Sequence, residues 1–180
     1  MSGRKGRYAE GTTTPVGASV AEIERLLERF NAETFVQGYT TLPDGRRQHN
    51  VMFEVAGQRM KLGVPLPDPQ AREFVYQVRP SWQRRTPEQA KERYEAEVRR
   101  RWRVLVLVVK SKLVAVEELE GAGYGRDEAF RQQFLPETVM GDGRTLAEVV
   151  EEQLPAIRRG LPPLLPGAAL ALPEPQGGGR

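Results

Sequence analysis

The stretch 88–120 most constrains the fold, because it contains neither glycine nor proline. Just before it, Thr86 is a favourable N-cap and Pro87 suits the first helical position, while Gln89 can complete a capping box. We therefore predict one helix over about 87–120, about 50 Å long. Apolar residues recur in it at spacings of three and four: Tyr94, Val98, Trp102, Leu105, Val109, Leu113 and Val116.

The longest apolar run within this helix is Val104–Val109, six residues. It is far shorter than the about 20 residues that span a bilayer, so no membrane segment is expected. Val104, Leu107 and Val108 lie off the main stripe, so the helix is apolar nearly all round there. Such a helix is buried on more than one side. We expect a sheet to cover one side, and the C-terminal helices or a second copy of the chain to cover another, with Trp102 in the core.

The rest of the chain predicts an α+β fold in which a three-stranded antiparallel meander, in the order α-β-β-β-α, is combined with the long central helix and C-terminal helices. A capping box that opens at Ser19 predicts the first helix. Alternating apolar residues, separated by turn signals, predict the strands. The predicted ranges are a helix over 20–31, strands over 35–41, 51–55 and 60–64, and helices over 127–135 and 145–159.

Composition suggests three regions along the chain. Residues 1–18 predict a flexible N-terminal arm, 19–160 a single α+β domain, and 161–180 a disordered tail rich in proline and glycine. The N-terminus is charged without an apolar segment, and the chain has no cysteine. We therefore expect a cytoplasmic protein.

Charge is distributed unevenly although the net charge is only +3. The segment 79–112 holds eleven Lys and Arg against four Glu, and 113–157 holds three Arg against ten Asp and Glu. The basic segment could meet an anionic partner, or the two segments could neutralise each other within the fold or across an oligomer. Arg101 and Lys112 fall within the apolar stripe. They would extend to its edge or pair with an acid such as Glu148 or Glu152, which would favour mutual neutralisation.

The basic segment supplies the candidate nucleic-acid-binding residues. Arginine and tryptophan in one loop can bind phosphate and stack on bases. The alternative is a solvated charged face with i, i+4 pairs such as Glu95–Arg99 and Glu97–Arg101, and with Trp82 anchoring the loop. The candidates are Arg79, Trp82, Arg84 and Arg85 in the loop, Arg93, Arg100 and Arg103 on the helix, Arg59 and Lys61 on the outer sheet face, and Arg46 and Arg47 at the hairpin.

Residues suited to catalysis or metal binding are few. His49 is the only histidine and there is no cysteine, so a zinc site is not expected. The sequence GAGYG follows a helix rather than a strand, which argues against a dinucleotide site. We predict no catalytic residue, no metal and no cofactor. Carboxylates that a magnesium-dependent nuclease could use show no clustering spacing: Glu54, Asp68, Glu73, Glu117, Glu118, Asp127 and Glu128.

Several motifs resemble those of uncharacterised proteins from phages and prophages. They are YAEGT, the EIE helix, the PLPD turn and the tryptophan-containing helix with KSKLVAVE, in this order between Tyr8 and about Pro166. The resemblance implies a mobile-element origin and no established activity. The same element order occurs in double-stranded-RNA-binding domains, but Thr86-Pro87-Glu88 stands where these domains usually carry a lysine cluster.

The leading expectation is a small phage-derived, non-enzymatic protein that binds DNA or RNA, chiefly through phosphate contacts. The alternative is a protein–protein adaptor or oligomeric assembly factor, whose partner is a second copy or a phage or host protein. A metal-dependent nuclease is the third. Neither a membrane nor a cofactor enters any of these expectations.

Overall fold

The structure, a computed structural model, describes residues 7–42, 44–77 and 83–159. The α+β class, the long central helix, the C-terminal helices and an antiparallel sheet in the order β1-β2-β3 agree with the prediction. The expected tail, 161–180, lies outside the described residues, as does the start of the arm. The elements are α1 (Val16–Glu28), β1 (Thr34–Thr41), β2 (Arg47–Val55), β3 (Gln58–Pro65), α2 (Arg72–Val75), α3 (Pro87–Gly121), α4 (Arg126–Phe134), a 3-10 turn (Leu135–Glu137) and α5 (Leu146–Ile157).

A tight hairpin between β2 and β3 sets the register of the sheet. Ala56 and Gly57 have φ angles of 51° and 71°, as a two-residue turn between twisted strands requires. Phe53 then pairs with Met60, and alternate residues of both strands share one face. That inner face is buried beneath helices. Its residues are at most 4% exposed: Val51, Phe53, Val55, Met60, Leu62 and Val64.

Helix α3 begins and runs as predicted. Thr86 Oγ1 accepts a hydrogen bond from Gln89 N at 3.3 Å, and Gln89 Oε1 accepts one from Thr86 N at 3.2 Å. This capping box satisfies two backbone donors that the helix leaves unpaired. Core packing then holds the helix over 35 residues. Its buried apolar residues are Trp102, Leu105, Val106, Val109, Leu113 and Val116.

The expected second cover of α3 is only partial: the C-terminal helix α4 packs against α3, but part of the apolar surface of α3 stays exposed. Leu107, Val108 and Val114 are 42%, 37% and 47% exposed. The sheet, α1 and α4 pack on the stripe side, and α5 packs on the 3-10 turn. An apolar strip therefore remains open to solvent on α3 among the residues that the structure describes.

Helix α1 begins at Val16, one turn earlier than predicted. Ser19 is buried and its hydroxyl has no hydrogen-bond partner, so it does not cap the helix. Val16 packs against the core together with Val20 and Ile23, which extends the apolar stripe toward the N-terminus. Packing thus decides the start of the helix, and residues 16–18 belong to α1 rather than to the expected arm.

Two short elements, α2 and the 3-10 turn, were not predicted, because segments this short show no hydrophobic periodicity in the sequence. The chain after the 3-10 turn runs beside β3. Thr138 forms an antiparallel bridge with Met60, and Val139 N donates to Arg59 O at 2.7 Å. This contact protects the outer edge of β3, whereas β1 forms the opposite edge.

Candidate nucleic-acid interface

The N-terminal half of α3 presents arginines outside its buried stripe. The start at Pro87 and the core residues fix the rotation of the helix, so Arg93 is exposed and Arg100 and Arg103 are half-buried. Arg79 and Trp82, the loop residues expected beside them, lie outside the described residues. The partners of each arginine decide which of them can reach a ligand.

One carboxylate neutralises Arg100. Glu97 accepts hydrogen bonds from Arg100 Nε at 2.9 Å and Nη2 at 2.7 Å, and from Arg101 Nε at 3.3 Å. Arg7 lies 3.6 Å from the same carboxylate. The hydrogen bonds from Arg100 outweigh burial and hold the pKa of the Glu97 carboxyl at about 2, below its ordinary 4.5. The predicted pair Glu97–Arg101 is confirmed, and Arg100 is engaged within the protein.

Arg103 and Arg85, both predicted nucleic-acid contacts, tie elements of the fold together. Arg103 pairs with Glu22 of α1. Arg85 Nη1 donates to three backbone carbonyl oxygens at the end of α2, two of them at 3.0 and 3.1 Å. Carbonyl oxygens at a helix end need such donors. Both guanidinium groups therefore have structural partners.

Some of the predicted cations on the sheet and the hairpin also have partners within the protein, and others do not. Lys61 Nζ lies 3.4 Å from a carboxylate oxygen of Glu148, and Arg46 lies 2.6 Å from Asp44. Arg59 is exposed, and no ion pair or side-chain hydrogen bond joins it to the described part of the chain. The outer sheet face thus carries less free charge than the sequence indicated.

Ion pairs also join the basic middle of the chain to its acidic third. Lys112 Nζ lies 3.0 Å from Glu137, rather than from the expected Glu148 or Glu152. Glu148 is instead the partner of Lys61. The two segments therefore neutralise each other in part within the fold, which leaves a smaller set of cations for any external partner.

Three arginines near the start of α3 have no partner in the described ranges 7–42, 44–77 and 83–159. Arg84 and Arg93 were predicted contacts and both are exposed. Arg99 was expected to pair with Glu95, but Glu95 lies 3.9 Å from Lys91 instead. Arg99 Nε is buried without a hydrogen-bond partner. Sequence spacing alone could not identify Arg99 as unpaired, because both Lys91 and Arg99 lie four residues from Glu95.

Arg47 has an aromatic partner that sequence reasoning missed. Its guanidinium lies 4.1 Å from the ring centroid of Tyr39, a cation–π contact. Tyr39 is 63% exposed and pairs with His49 across the strands. The alternation of side chains along β1 places Tyr39 on the same sheet face as Phe35. This pattern could have indicated an aromatic residue on the inner face where the core ends.

Two surface hollows bring several of these residues together, and Arg99 lines both. The sheet-side hollow, about 490 Å³, includes Arg47, His49 and Arg99. The outer hollow, about 410 Å³, includes Arg93 and Arg99. Burial and the nearby Arg47 lower the pKa of His49 from its ordinary value, which favours the neutral form of its ring. We name the four residues Arg47, Arg84, Arg93 and Arg99 the arginine surface.

Arg84 adjoins the sheet-side hollow through Tyr94, which lines that hollow and also a third depression together with Arg84. Arg46 and Arg59 line neither hollow. Of the predicted residues, Arg47, Arg84 and Arg93 therefore lie around the N-terminal half of α3, together with Arg99, which was not predicted. The other predicted cations that the structure describes either have partners within the protein or lie away from these hollows.

No group of three or more His, Cys, Asp or Glu side chains able to hold a metal ion occurs within the described residues. Among the helices described, none is long and apolar enough to cross a membrane. No family model matches the chain, and neither a curated protein nor a solved structure is significantly similar to it.

Proposed function

We propose that this protein binds nucleic acid, with its arginine surface contacting phosphate groups. The observation that carries the proposal is a group of arginines around the N-terminal half of α3 whose guanidinium groups have no carboxylate partner within residues 7–42, 44–77 and 83–159. Most other described cations of the basic middle are engaged with carboxylates or carbonyl oxygens. Unpaired arginines on one surface attract a polyanion and displace its counterions.

The proposal distinguishes among the predicted contacts. Arg84 and Arg93 would bind phosphates because they are exposed and unpaired in the described structure. Arg85, Arg100 and Arg103 hold the fold instead, so substituting them would confuse binding with stability. We further propose that the protein comes from a mobile element and acts in the cytoplasm, where nucleic acid is found. We propose no catalytic role for it.

Loss of two phosphate contacts should reduce the salt dependence of binding. We expect Arg84→Gln combined with Arg93→Gln to lower the slope of log K against log [salt] by about 1.5. The measurement is fluorescence anisotropy of labelled single- and double-stranded DNA and RNA over a range of salt concentrations. The matched control is Arg25→Gln with Arg131→Gln, two exposed arginines on α1 and α4 that are also unpaired within the described structure.

The control should retain the wild-type slope, and both double variants should retain the wild-type circular dichroism spectrum. Equal slopes for the two double variants would contradict the assignment of contacts to the arginine surface. Failure of the wild type to bind any oligonucleotide at low salt would contradict nucleic-acid binding itself.

The open apolar strip of α3 favours a second candidate function, assembly with another protein or a second copy. Leu107, Val108 and Val114 are exposed on the helix whose opposite side forms the core. Val104 and Val108 also line a groove of about 490 Å³ beside β3 and α5. Exposed apolar residues that form one surface are typical of interaction sites.

Sedimentation velocity can test this second candidate. If the strip mediates self-association, Leu107→Glu with Val114→Glu should shift an oligomeric wild type to the monomer. Leu135→Glu is the control, because Leu135 is 52% exposed and lies outside α3. A wild type that is monomeric at high micromolar concentration would exclude self-association through α3, and an oligomer that retains no nucleic acid would favour this candidate over the first.

A further inference from the structure

The sheet-side hollow forms where the core ends and the inner sheet face continues. Toward the N-terminus of α3, Trp102 is the last large side chain in the core. His49 packs edge-on against it, with 5.8 Å between the ring centroids. Beyond this pair, Arg47 and Arg99 line the hollow from β2 and from α3. Two cations from separate elements thus border one cavity of about 490 Å³.

Among the described residues, Arg99 has no ion-pair or hydrogen-bond partner, unlike most guanidinium groups in folded proteins. Its Nε is shielded from solvent and makes no hydrogen bond. Glu95, which also lines the hollow, lies 3.9 Å from Lys91 and forms no ion pair with Arg99. A buried donor without an acceptor is uncommon in native structures, and it shows that Arg99 has no internal acceptor on this side of its guanidinium group among the described residues. The acceptor best matched to two guanidinium groups is a phosphate.

The start of α1 adds a further preference for an anion. Pro15 and Val16 line the hollow, and α1 begins there without a side-chain cap or an acidic residue in its first turn. The exposed backbone N–H groups of a helix start favour negative charge. The same hollow therefore has three independent sources of positive potential: the two guanidinium groups and the uncapped helix.

An aromatic ring lies beside Arg47, one of the two arginines that line the hollow. Tyr39 is exposed on its strand with the Arg47 guanidinium over its ring at 4.1 Å. Exposed tyrosine and arginine provide a surface on which a base can stack, provided that the base is not already covered by neighbours in a duplex. The volume of the hollow also lies in the range of sites for small ligands, which suits one nucleotide better than a helix.

We infer that the sheet-side hollow binds one nucleotide of a single-stranded nucleic acid, with its phosphate between Arg47 and Arg99 and its base stacked at Tyr39. This inference rests on the proposed function and makes it specific, because it distinguishes a single strand from a duplex. Arg84 and Arg93 then contact neighbouring phosphates along the same strand.

The test compares Arg99→Gln and Tyr39→Ala with the controls Arg131→Gln and Val36→Ala, which change an exposed arginine and an exposed residue on the other face of β1. The probes are a labelled single strand of about 12 nucleotides and the duplex of the same sequence. Each test variant should weaken single-strand binding about tenfold, and each control by less than about twofold. Arg99→Lys, which keeps the charge, should recover part of the loss.

Competition by a nucleoside 5′-monophosphate and by inorganic phosphate separates the two parts of the site. The monophosphate should displace the strand at lower concentration than phosphate, and Tyr39→Ala should remove that difference. Equal competition by both in the wild type would overturn the base-stacking assignment.

The remaining outcomes separate this inference from the proposed function. Absence of binding to any oligonucleotide would overturn both. Binding that Arg84→Gln with Arg93→Gln weakens, but that Arg99→Gln and Tyr39→Ala leave at the control level, would overturn only the nucleotide site. Equal affinity for strand and duplex, with equal losses in the test variants, would also overturn it. Melting temperatures of all variants establish that the fold is intact.

Discussion

Replacing Phe53 with alanine is expected to lower the free energy of unfolding by about 3–5 kcal/mol. Phe53 is 1% exposed at the centre of the inner sheet face. It makes edge-to-face contacts with Phe130 at 6.3 Å and Phe134 at 5.7 Å, and these two rings stack on each other at 4.4 Å. The substitution removes the ring that joins the sheet to α4, and the rigid surroundings leave a cavity.

Urea denaturation followed by circular dichroism measures this loss. Val36→Ala on the same sheet is the control, because Val36 is 51% exposed and its truncation should change stability by no more than about 0.5 kcal/mol. Similar losses in both variants would mean that the three-ring cluster does not join the sheet to α4.

Replacing Glu97 with glutamine is expected to lower the free energy of unfolding at pH 7 by on the order of 3 kcal/mol. The variant keeps the shape of the side chain but removes the charge that three arginines share. Arg100 and Arg101 would lose their charged acceptor while half-buried, and the Arg7 guanidinium would lose a carboxylate 3.6 Å away. Glu118→Gln is the matched control, since Glu118 is exposed on the same helix.

The same carboxylate predicts a pH dependence. Its pKa is about 2 in the folded protein and 4.5 as the ordinary value, so the folded state binds its proton less readily than the unfolded state. The stabilisation is complete above about pH 5 and is lost as the pH falls from 4.5 toward 2. The stability difference between wild type and Glu97→Gln should therefore narrow over that interval. A difference that stays constant from pH 6 to about pH 2.5 would contradict this assignment.

Local signals made α3 predictable nearly to the residue. Its capping box at Thr86 and its apolar spacing act within a few residues of each other, so they can be read without knowing the fold. The capping pattern at Ser19 was equally clear but wrong. Val16 packs against the core one turn earlier, and this apolar contact together with the burial of Val20 favours the earlier start over one capping hydrogen bond.

The candidate site was only partly predictable, because its composition depends on contacts between distant segments. Arg103 meets Glu22, and Lys61 meets Glu148, across separations that no periodicity encodes. These partners removed cations from the predicted set. Arg99 was added to the candidate site because its expected partner, Glu95, pairs with Lys91 instead.

The charges of α3, with arginines in its N-terminal half and carboxylates in its last turn, have the same direction as its backbone dipole and add to it. Its last turn contains Glu118 and Glu120 and no basic residue, although a helix C-terminus favours cations. Arg126 of α4 lies 2.7 Å from Glu120, and Arg29, directly after α1, lies 3.5 Å from Glu117, so neighbouring elements supply part of the missing charge.

The longest element of the protein therefore carries an electric polarity, with the arginine surface toward one end and carboxylates toward the other. A polyanion that approaches within about 8–10 Å, the Debye length near physiological salt, experiences a torque before any contact forms. We therefore expect a polyanion to meet the arginine end of α3 first.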